Sequence, residues 1–389
     1  MSEPQSLESL IGWDDLLTEE AQQIRASVRE FVQTELVPGI TQVWEDGRFP
    51  DEKTAAFAAL GLFGANLEGY GCAGVSNLAY GMALHELERC DSGYRSFVSV
   101  QTSLAMFAIH RFGSEDQKRR WLPEMAAGRV LGCFGLSEPD HGSDPASMAT
   151  NAVRDGDQWV INGSKLWITN AQVAQLAVIW ARERGGRVRG FLVERGTPGF
   201  EAGDIPHKLS MRASHTGALY LSDVRVPTSA ELPDGVGLRA PLAVLNNARL
   251  GVAFGVLGAA RDCLERAIQY ARDRVQFGVP IARKQLVQKR LVDVAEEVVK
   301  ASVLTAHYGR RKDRGALTAA QVSLLKRNNC RIALEAAREA RAILGASGIT
   351  TDNHVLRHAL NLESTYTYEG THEIHTLVVG RALTGEAAF

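Results

Sequence analysis

Three long stretches after residue 240 constrain the fold of this chain more than any other feature. Residues 241–274, 283–313 and 317–344 are rich in Ala, Leu, Val and Arg, and short breaks containing Gly or Pro separate them. Long amphipathic helices joined by short connections bury their apolar faces by packing antiparallel. The sequence therefore predicts that the C-terminal part of the chain is a four-helix bundle.

The part of the chain before about residue 130 is also predicted to be helical. Its apolar side chains recur at the spacing of one helix face, as in the stripe formed by Ile24, Val28, Phe31, Val32 and Leu36. Beyond residue 130, short β-rich runs alternate with turn dipeptides. Asp155-Gly156, Asn162-Gly163 and Gly185-Gly186 predict hairpin turns in a small, mainly antiparallel sheet.

These patterns together predict an α+β fold that is mostly α. We expect an N-terminal helical domain at residues 1–130, a small middle β domain at 131–236, and a C-terminal helical bundle domain at 237–389. The β domain is thus an insert between two helical blocks.

Charge and composition exclude several classes of protein. The formal net charge is -2, so the chain lacks the basic surface that binds nucleic acid. No run of apolar residues approaches the length of a membrane span. The acidic N-terminus has no segment typical of a signal peptide, and the five cysteines are scattered without a CxxC pair. We therefore expect a cytoplasmic protein with reduced, buried thiols.

The stretch from Tyr366 to Gly380, YTYEGTHEIHTLVVG, is the strongest candidate for a catalytic site. Glu369 lies between tyrosines and Gly370, a residue that lets a backbone or a ligand approach closely because it has no Cβ. A carboxyl group in a partly dry aromatic setting has a raised pKa, which suits a general base at neutral pH. Thr371 is a fair N-cap for a last helix, so the stretch alone is also explained by an acidic residue near a helix N-terminus.

Two stretches near the middle of the chain carry groups suited to a polar cofactor. The turn at residues 134–148 is rich in Ser, Gly, Asp and Pro, and it offers backbone N–H groups and the hydroxyls of Ser137 and Ser143. The segment at 167–169, Trp-Ile-Thr, places a flat aromatic surface beside a hydroxyl. An ordinary loop and a half-buried strand explain the same residues, so neither stretch identifies a site alone.

Polar residues at predicted helix ends form a third group of candidates. Arg95 follows a glycine break at 91–93, at the predicted start of a helix, where a guanidinium either binds a carboxylate or faces solvent. The run 242–249, LAVLNNAR, opens the first long helix, and Arg274 and Gln285 flank the next helix corner. Polar bundle corners without a ligand have the same composition.

The sequence has no pattern for a bound metal. It contains no Walker loop, no HExxH and no GxSxG nucleophile elbow. His372 and His375 are spaced i, i+3 with Glu373 between them, but no third ligand is evident. We therefore expect no metal site.

Taken together, these stretches resemble the acyl-CoA dehydrogenase family of flavoproteins over nearly the whole chain. The helical, β, helical order is combined with the motifs GLSEPDHGSD, WIT, NNAR, DRVQFG and YEGTHEIH. Within that family, DSGYRS at 91–96 together with TYEGTHEIH resembles the branch that acts on glutaryl-CoA.

The resemblance implies a homotetrameric, FAD-containing enzyme that converts glutaryl-CoA to crotonyl-CoA and CO2. It implies that Glu369 removes the α-proton, that the β-hydride passes to N5 of the flavin, and that an electron-transferring flavoprotein accepts the electrons. One alternative is a dehydrogenase or oxidase for another short-chain acyl-CoA. Another is a flavin- or acyl-CoA-binding scaffold without turnover, although such a scaffold has no need of the base.

The resemblance also implies which residues contact the substrate. Arg95 and Ser96 match the pair that binds the distal carboxylate, with Glu88 in the same network. Tyr368, before the base, is typical of the decarboxylating members. The other positions implied to contact the acyl-CoA are Ser143, Leu242, Asn246, Asn247, Arg249 and Gly370.

The implied FAD contacts come from the turn, the aromatic segment and three parts of the C-terminal region, partly across a dimer interface. His141 departs from the family pattern, which usually has a small residue there, and this leaves the local geometry of the turn open. The implied residues are Phe134, Leu136, Ser137, Gly142, Ser143, Trp167, Ile168, Thr169, Arg274, Phe277, Gln285, Ala342, Leu344, Gly345, Ala346, Thr371, His372 and Glu373.

Overall fold

The computed structural model describes residues 5–388, and the chain before residue 130 is helical in it. Two of the helices continue through π-helical turns, at Val32–Leu36 after α3 and at Val100–Met106 between α7 and α8. The helices are α1 (Leu7–Ile11), α2 (Trp13–Leu16), α3 (Glu19–Phe31), α4 (Ile40–Asp46), α5 (Thr54–Ala59), α6 (Asn77–Cys90), α7 (Ser92–Ser99), α8 (Phe107–Phe112) and α9 (Glu115–Ala126).

Helix α7 begins three residues before the position that the sequence predicted. Asp91 is its N-cap, and the carboxylate of Asp91 accepts a hydrogen bond from the backbone N–H of Gly93 at 2.7 Å. The cap outweighs the low helix propensity of Gly93, so the break seen in the sequence is the first turn of the helix. As a result Arg95 lies one turn inside α7 instead of at its exposed start.

Eight strands of the middle region form one sheet with the order β6-β7-β3-β2-β4-β5-β8, and β1 pairs with β4. Most pairs are antiparallel, as predicted, but β1 and β2 each run parallel to β4. The strands are β1 (Gly132–Gly135), β2 (Asn151–Asp155), β3 (Gln158–Thr169), β4 (Leu176–Glu183), β5 (Val188–Glu194), β6 (Phe200–Asp204), β7 (Thr216–Pro227) and β8 (Glu231–Val236).

Two of the three predicted hairpin turns are confirmed, and the third is wrong. Asp155-Gly156 joins β2 to β3, and Gly185-Gly186 joins β4 to β5. Strand β3 instead runs straight through Asn162-Gly163, with a register shift against β7 at that point. A Cβ on Gly163 would lie 2.4 Å from Oγ1 of Thr150, so this glycine permits a bulge and a close approach, not a turn.

The three long helices that the sequence predicted are confirmed, with ends that agree to within two residues. A short hairpin, β9 (Val275–Gln276) and β10 (Val279–Pro280), separates the first two of them. The C-terminal helices are α10 (Arg239–Asp273), α11 (Gln285–Asp313), α12 (Ala319–Leu344), α13 (Val355–Thr367) and α14 (His372–Thr384).

Helix α10 lies at the centre of the molecule and packs closely on α6. A Cβ on Gly258 would lie 1.9 Å from the backbone oxygen of His85, so only glycine allows this approach. Within residues 5–388, α10 is the one helix whose length and composition would permit a membrane span, but 78% of its most apolar window is buried inside the protein. Contact with α6 and the neighbouring bundle helices accounts for that apolar composition.

Candidate active site

Glu369 lies in a four-residue link between α13 and α14. Its backbone is left-handed, with φ of 53°, and Gly370 follows with φ of 95°. A non-glycine residue in this region costs about 1–3 kcal/mol, so the surrounding structure must hold it there. The predicted N-cap of α14 is confirmed, because the hydroxyl of Thr371 accepts a hydrogen bond from the N–H of Ile374 at 3.2 Å.

Two buried cations bind the backbone of this link. Nε of Arg249 on α10 donates to the carbonyl of Glu369 at 2.7 Å. Nζ of Lys326 on α12 donates to the carbonyls of Tyr368 and Gly370, at 2.9 and 2.8 Å. The side chain of Asn246 holds the Arg249 guanidinium at 2.7 Å. Three consecutive carbonyl oxygens of the link are therefore satisfied by two helices distant in sequence.

The carboxyl group of Glu369 is only partly open to solvent. Glu369 as a whole is half-buried, and its Oε2 is fully buried and accepts no hydrogen bond from any residue within 5–388. Burial raises the pKa of Glu369 above 4.5, against the opposing charges of Arg95, Arg249 and Lys326. The raised pKa predicted from the sequence is confirmed in direction, and it makes this carboxylate a stronger base than an exposed one.

Arg95 lies in the same buried region. It is 1% exposed, and its Nε donates to Oε2 of Glu88 on α6 at 2.5 Å. Its Nη2 donates to the hydroxyl of Tyr368, the residue next to Glu369. Burial disfavours the charge, but the adjacent Glu88 carboxylate outweighs that cost, so the pKa of Arg95 is raised. The guanidinium that was predicted to bind a carboxylate is therefore charged, and it is hydrogen-bonded to Tyr368, the residue that precedes the candidate base.

A glycine on α10 makes room for this ion pair. A Cβ on Gly255 would lie 2.1 Å from Oε2 of Glu88 and 3.0 Å from Nε of Arg95. The second oxygen of Glu88 accepts a hydrogen bond from the hydroxyl of Ser92 at 2.7 Å. Ser96, predicted to assist Arg95, is buried on the same short helix at 4% exposure. The pair thus depends on close packing of α6, α7 and α10.

Sequence reasoning missed two residues that face this region. Lys326 is 1% exposed, and it lies in a stripe of buried residues of α12 that includes Val322 and Cys330. A lysine at an apolar position of a helix was the available signal, because lysine is almost never fully buried without partners. Tyr80 on α6 is buried beside Ser103, and burial raises its pKa to about 12. Nothing in its sequence context distinguishes Tyr80 from a core aromatic.

The turn at 134–148 is anchored at its start and open at its tip. Nζ of the fully buried Lys165 donates to the carbonyl of Leu136 at 3.1 Å and to Oε1 of Glu138 at 2.8 Å. The same carboxylate accepts the N–H groups of Ala149 and Thr150, so both ends of the turn are tied to β3. Burial lowers the pKa of Lys165 to about 8, although the contact with Glu138 opposes the shift.

The exposed part of the turn contains the predicted polar residues. Phe134 and Leu136 are buried, and the ring of Phe134 lies 6.1 Å from Trp180. Ser137 is half-buried, whereas Gly142 and Ser143 are exposed. His141 and Glu138 exchange two backbone N–H to carbonyl hydrogen bonds, at 3.1 and 3.3 Å, so the turn closes at this point with a histidine in place.

The aromatic segment after the turn has an unusual backbone. Trp167 has φ of 63°, and its side chain is 60% exposed, while Ile168 beside it is buried. An exposed indole next to the half-buried hydroxyl of Thr169 is a suitable surface for a planar, polar ring such as an isoalloxazine. The residues that the structure places here therefore fit the cofactor that the sequence predicted.

The remaining predicted cofactor residues lie in three places. Arg274, Phe277 and Gln285 form an exposed corner between α10 and α11, where Phe277 is 92% exposed. Leu344 is buried at the end of α12, but Gly345 and Ala346 are exposed. Thr371 is the N-cap of α14, and His372 and Glu373 are its first two residues. The ring of His372 stacks on that of Tyr366, with 4.5 Å between the ring centroids.

Three other kinds of binding site have less support: a surface groove, a glycine-rich loop and a metal site. An open groove of about 740 Å³ between α11 and α12 includes Ala342, but neither Glu369 nor Arg95 lines it. Residues 69–74, GYGCAG, have the spacing of a dinucleotide-binding turn, yet they lie in a loop between two helices, whereas that turn follows a strand. Across residues 5–388, no group of three His, Cys, Asp or Glu residues is placed to hold a metal.

Comparison with known proteins agrees with this geometry. Models of the N-terminal, middle and C-terminal domains of acyl-CoA dehydrogenase match residues 18–129, 133–224 and 235–384. The chain belongs to the acyl-CoA dehydrogenase family. The mitochondrial short-chain specific acyl-CoA dehydrogenase of Bos taurus is 36% identical over 369 residues, which are 93% of this chain and 90% of that protein.

Two solved structures of the family are more similar. A glutaryl-CoA dehydrogenase from Mycobacterium smegmatis is 55% identical, with a TM-score of 0.98 over 99% of this chain and 100% of that one. A glutaryl-CoA dehydrogenase from the same organism, in complex with FADH2, is 51% identical, with the same TM-score and coverage. The predicted family and fold class are therefore confirmed, while the roles of individual residues within this acyl-CoA dehydrogenase stay predictions.

Proposed function

We propose that this acyl-CoA dehydrogenase contains FAD and converts glutaryl-CoA to crotonyl-CoA and CO2. The observation that carries the proposal is the buried Arg95 guanidinium, which donates a hydrogen bond to the hydroxyl of Tyr368, the residue next to Glu369. An acyl chain that ends in a carboxylate matches a site with a base for one end and a fixed cation for the other. The likeness to a structure named glutaryl-CoA dehydrogenase supports the same substrate.

Glu369 accepts the α-proton of the thioester in this proposal. Among residues 5–388 the backbone N–H of Glu369 donates to no other group, so it is available to the thioester carbonyl, which acidifies the α-carbon. The N–H and the carboxyl group belong to the same residue, whose backbone is left-handed. FAD, when bound, supplies the acceptor for the hydride that leaves the β-carbon.

Loss of CO2 follows from the product of that oxidation. The unsaturated thioester has its carboxylate on the γ-carbon, so release of CO2 leaves a dienolate that the contact at the thioester carbonyl stabilises. Glu369 then returns its proton to give crotonyl-CoA. Arg95, Glu88 and Tyr368 orient the carboxylate until it leaves, and the two electrons taken from the substrate remain for a separate acceptor.

We propose an electron-transferring flavoprotein as that acceptor and a homotetramer as the working assembly. Exposed apolar side chains support an assembly of several copies. Phe277 and Leu286, near the corner of α10 and α11, are 92% and 78% exposed. Monomeric soluble proteins rarely expose large apolar patches to solvent.

A short-chain acyl-CoA without a carboxylate is the second candidate substrate, because the Bos taurus relative is named for short chains. The two candidates differ in their prediction for turnover of the purified protein. We expect kcat/KM to be at least about 10²-fold higher for glutaryl-CoA than for butyryl-CoA, since only glutaryl-CoA offers a carboxylate to the Arg95 guanidinium. Equal values, or a preference for butyryl-CoA, would exclude the glutaryl-CoA assignment.

A further inference from the structure

Lys326 is a buried charged residue that has no part in the reaction steps proposed above. It lies on α12, more than 40 residues before the link that contains Glu369, and it is 1% exposed. Its ammonium has two backbone carbonyls as partners, those of the residues on either side of Glu369. A lysine is seldom buried without a carboxylate to pair with it, so its location requires a reason.

The geometry of the link supplies that reason. Three consecutive carbonyl oxygens, those of Tyr368, Glu369 and Gly370, are divided between two cations. Here the outer two face Lys326, while the carbonyl of Glu369 faces Arg249. Removing either cation leaves buried carbonyl oxygens without donors and frees the link to relax towards an ordinary backbone.

We propose that Lys326 is a positioning residue that holds Glu369 in its reactive orientation and favours its ionised form. The inference rests on the proposed function of Glu369 as the base. It does not depend on which acyl-CoA is the substrate, because the contact is with the backbone of the base.

Electrostatics supports the second part of this assignment. The groups that face Glu369 are Arg95 from α7, Arg249 from α10 and Lys326 from α12, with Tyr80 from α6, Tyr368 from the link itself and His375 from α14. Burial lowers the pKa of His375 to about 3, so it is neutral near pH 7, and the pKa of Tyr80 is about 12. The charged neighbours are thus three cations, and each lowers the pKa of Glu369 against the effect of burial.

The charge of Lys326 affects the pH dependence of kcat in a defined direction. A base acts only when it is ionised, so activity is lost as the pH falls through the pKa of Glu369. Removing one of the three cations raises that pKa further. The acid limb of the kcat profile must therefore move to higher pH when the charge of Lys326 is removed.

The test uses the purified holoenzyme with Lys326→Met, which keeps the unbranched side chain up to the ε position and removes the ammonium group. We expect kcat to fall by about 10²-fold, because a misplaced catalytic group costs about that much, and the acid limb to move upwards. FAD content is expected to equal that of the wild type. A wild-type kcat and acid limb would overturn the proposal, as would a loss of activity that only follows a loss of bound FAD.

Lys208→Met is the matched control, because the ammonium of Lys208 also donates to two backbone carbonyls, those of Met211 and Ser214, at 3.2 and 2.6 Å. Lys208 is not among the charges that face Glu369, so the acid limb of this variant is expected at the wild-type position. An equal shift in both variants would show a general effect of removing a lysine that is bonded to the backbone and would overturn the proposal.

If Lys326→Met does not fold, Lys326→Arg decides the question. This variant keeps the positive charge, so its acid limb is expected at the wild-type pH even if its kcat is lower; an upward shift would contradict the proposal. The substrate is whichever acyl-CoA reduces the wild-type flavin. Failure of every acyl-CoA with the wild type would count against the proposed function, whereas failure of the Lys326 inference requires an active wild type.

Discussion

Glu369→Gln is expected to bind FAD as the wild type does and to lose at least about 10³-fold of its rate of flavin reduction by substrate. General base catalysis contributes about 10²–10⁴-fold, and glutamine has the shape of glutamate without a basic oxygen. The carbonyl and N–H of residue 369 stay in place in this variant, so substrate binding should change little. The measurement is the anaerobic single-turnover decrease in flavin absorbance.

Glu363→Gln is the control for this substitution. Glu363 lies on α13 six residues before Glu369, and its half-exposed side chain pairs with Arg338 away from the link. We expect Glu363→Gln to reduce the flavin at the wild-type rate. Full and rapid bleaching of Glu369→Gln would remove the role assigned to this carboxylate.

Arg95→Met is expected to have the second largest effect, and the effect should depend on the substrate. Truncating one partner of a buried, hydrogen-bonded charge pair costs about 2–5 kcal/mol. For glutaryl-CoA the lost contact predicts a decrease in kcat/KM of about 10²–10³-fold. For butyryl-CoA, which has no carboxylate to bind, we expect a decrease of less than about 10-fold.

Two variants separate recognition from stability. Arg95→Met leaves the Glu88 carboxylate buried without its cation, so Arg95→Met/Glu88→Gln should restore much of the lost thermal stability without restoring glutaryl-CoA turnover. Arg261→Met removes a different fully buried arginine, which pairs with Glu8 and Glu265. It should lower stability and leave the ratio of the two substrates unchanged. Equal losses for both substrates in Arg95→Met would contradict carboxylate recognition.

Local sequence signals predicted the elements whose formation depends on local chemistry. The long helices, the cap at Thr371 and the turn at Asp155-Gly156 each follow from spacing or from one side chain, and each is present in the structure. The raised pKa of Glu369 also followed from its neighbours in sequence. These features need no knowledge of distant contacts.

The sequence-based predictions were wrong or silent at glycines whose role depends on a residue outside their own strand or helix turn. Gly163 resembles a turn residue, but it lies in a continuous strand because Thr150 of another segment approaches its Cα. Gly93 resembles a break, but the carboxylate of Asp91 caps the helix through it. Gly255 makes room for the Glu88–Arg95 pair, and nothing within its own helix indicates that.

Lys326 was missed for the same reason. The helical spacing places it among the buried residues of α12, but its partners are two backbone carbonyls more than 40 residues away, which that spacing does not identify. The cofactor positions at the corner between α10 and α11 are exposed, and their predicted role depends on a second copy of the chain. Those positions, the homotetramer, the electron-transferring flavoprotein and the cytoplasmic location stay predictions.

The most direct test of the central claim is anaerobic mixing of the purified protein with glutaryl-CoA, followed by flavin absorbance and product mass. We expect the absorbance of oxidised flavin to disappear and a product with the mass of crotonyl-CoA to form. Unchanged absorbance with saturating glutaryl-CoA, in protein that binds FAD and is bleached by butyryl-CoA, would contradict a site built for a base at one end and a carboxylate at the other.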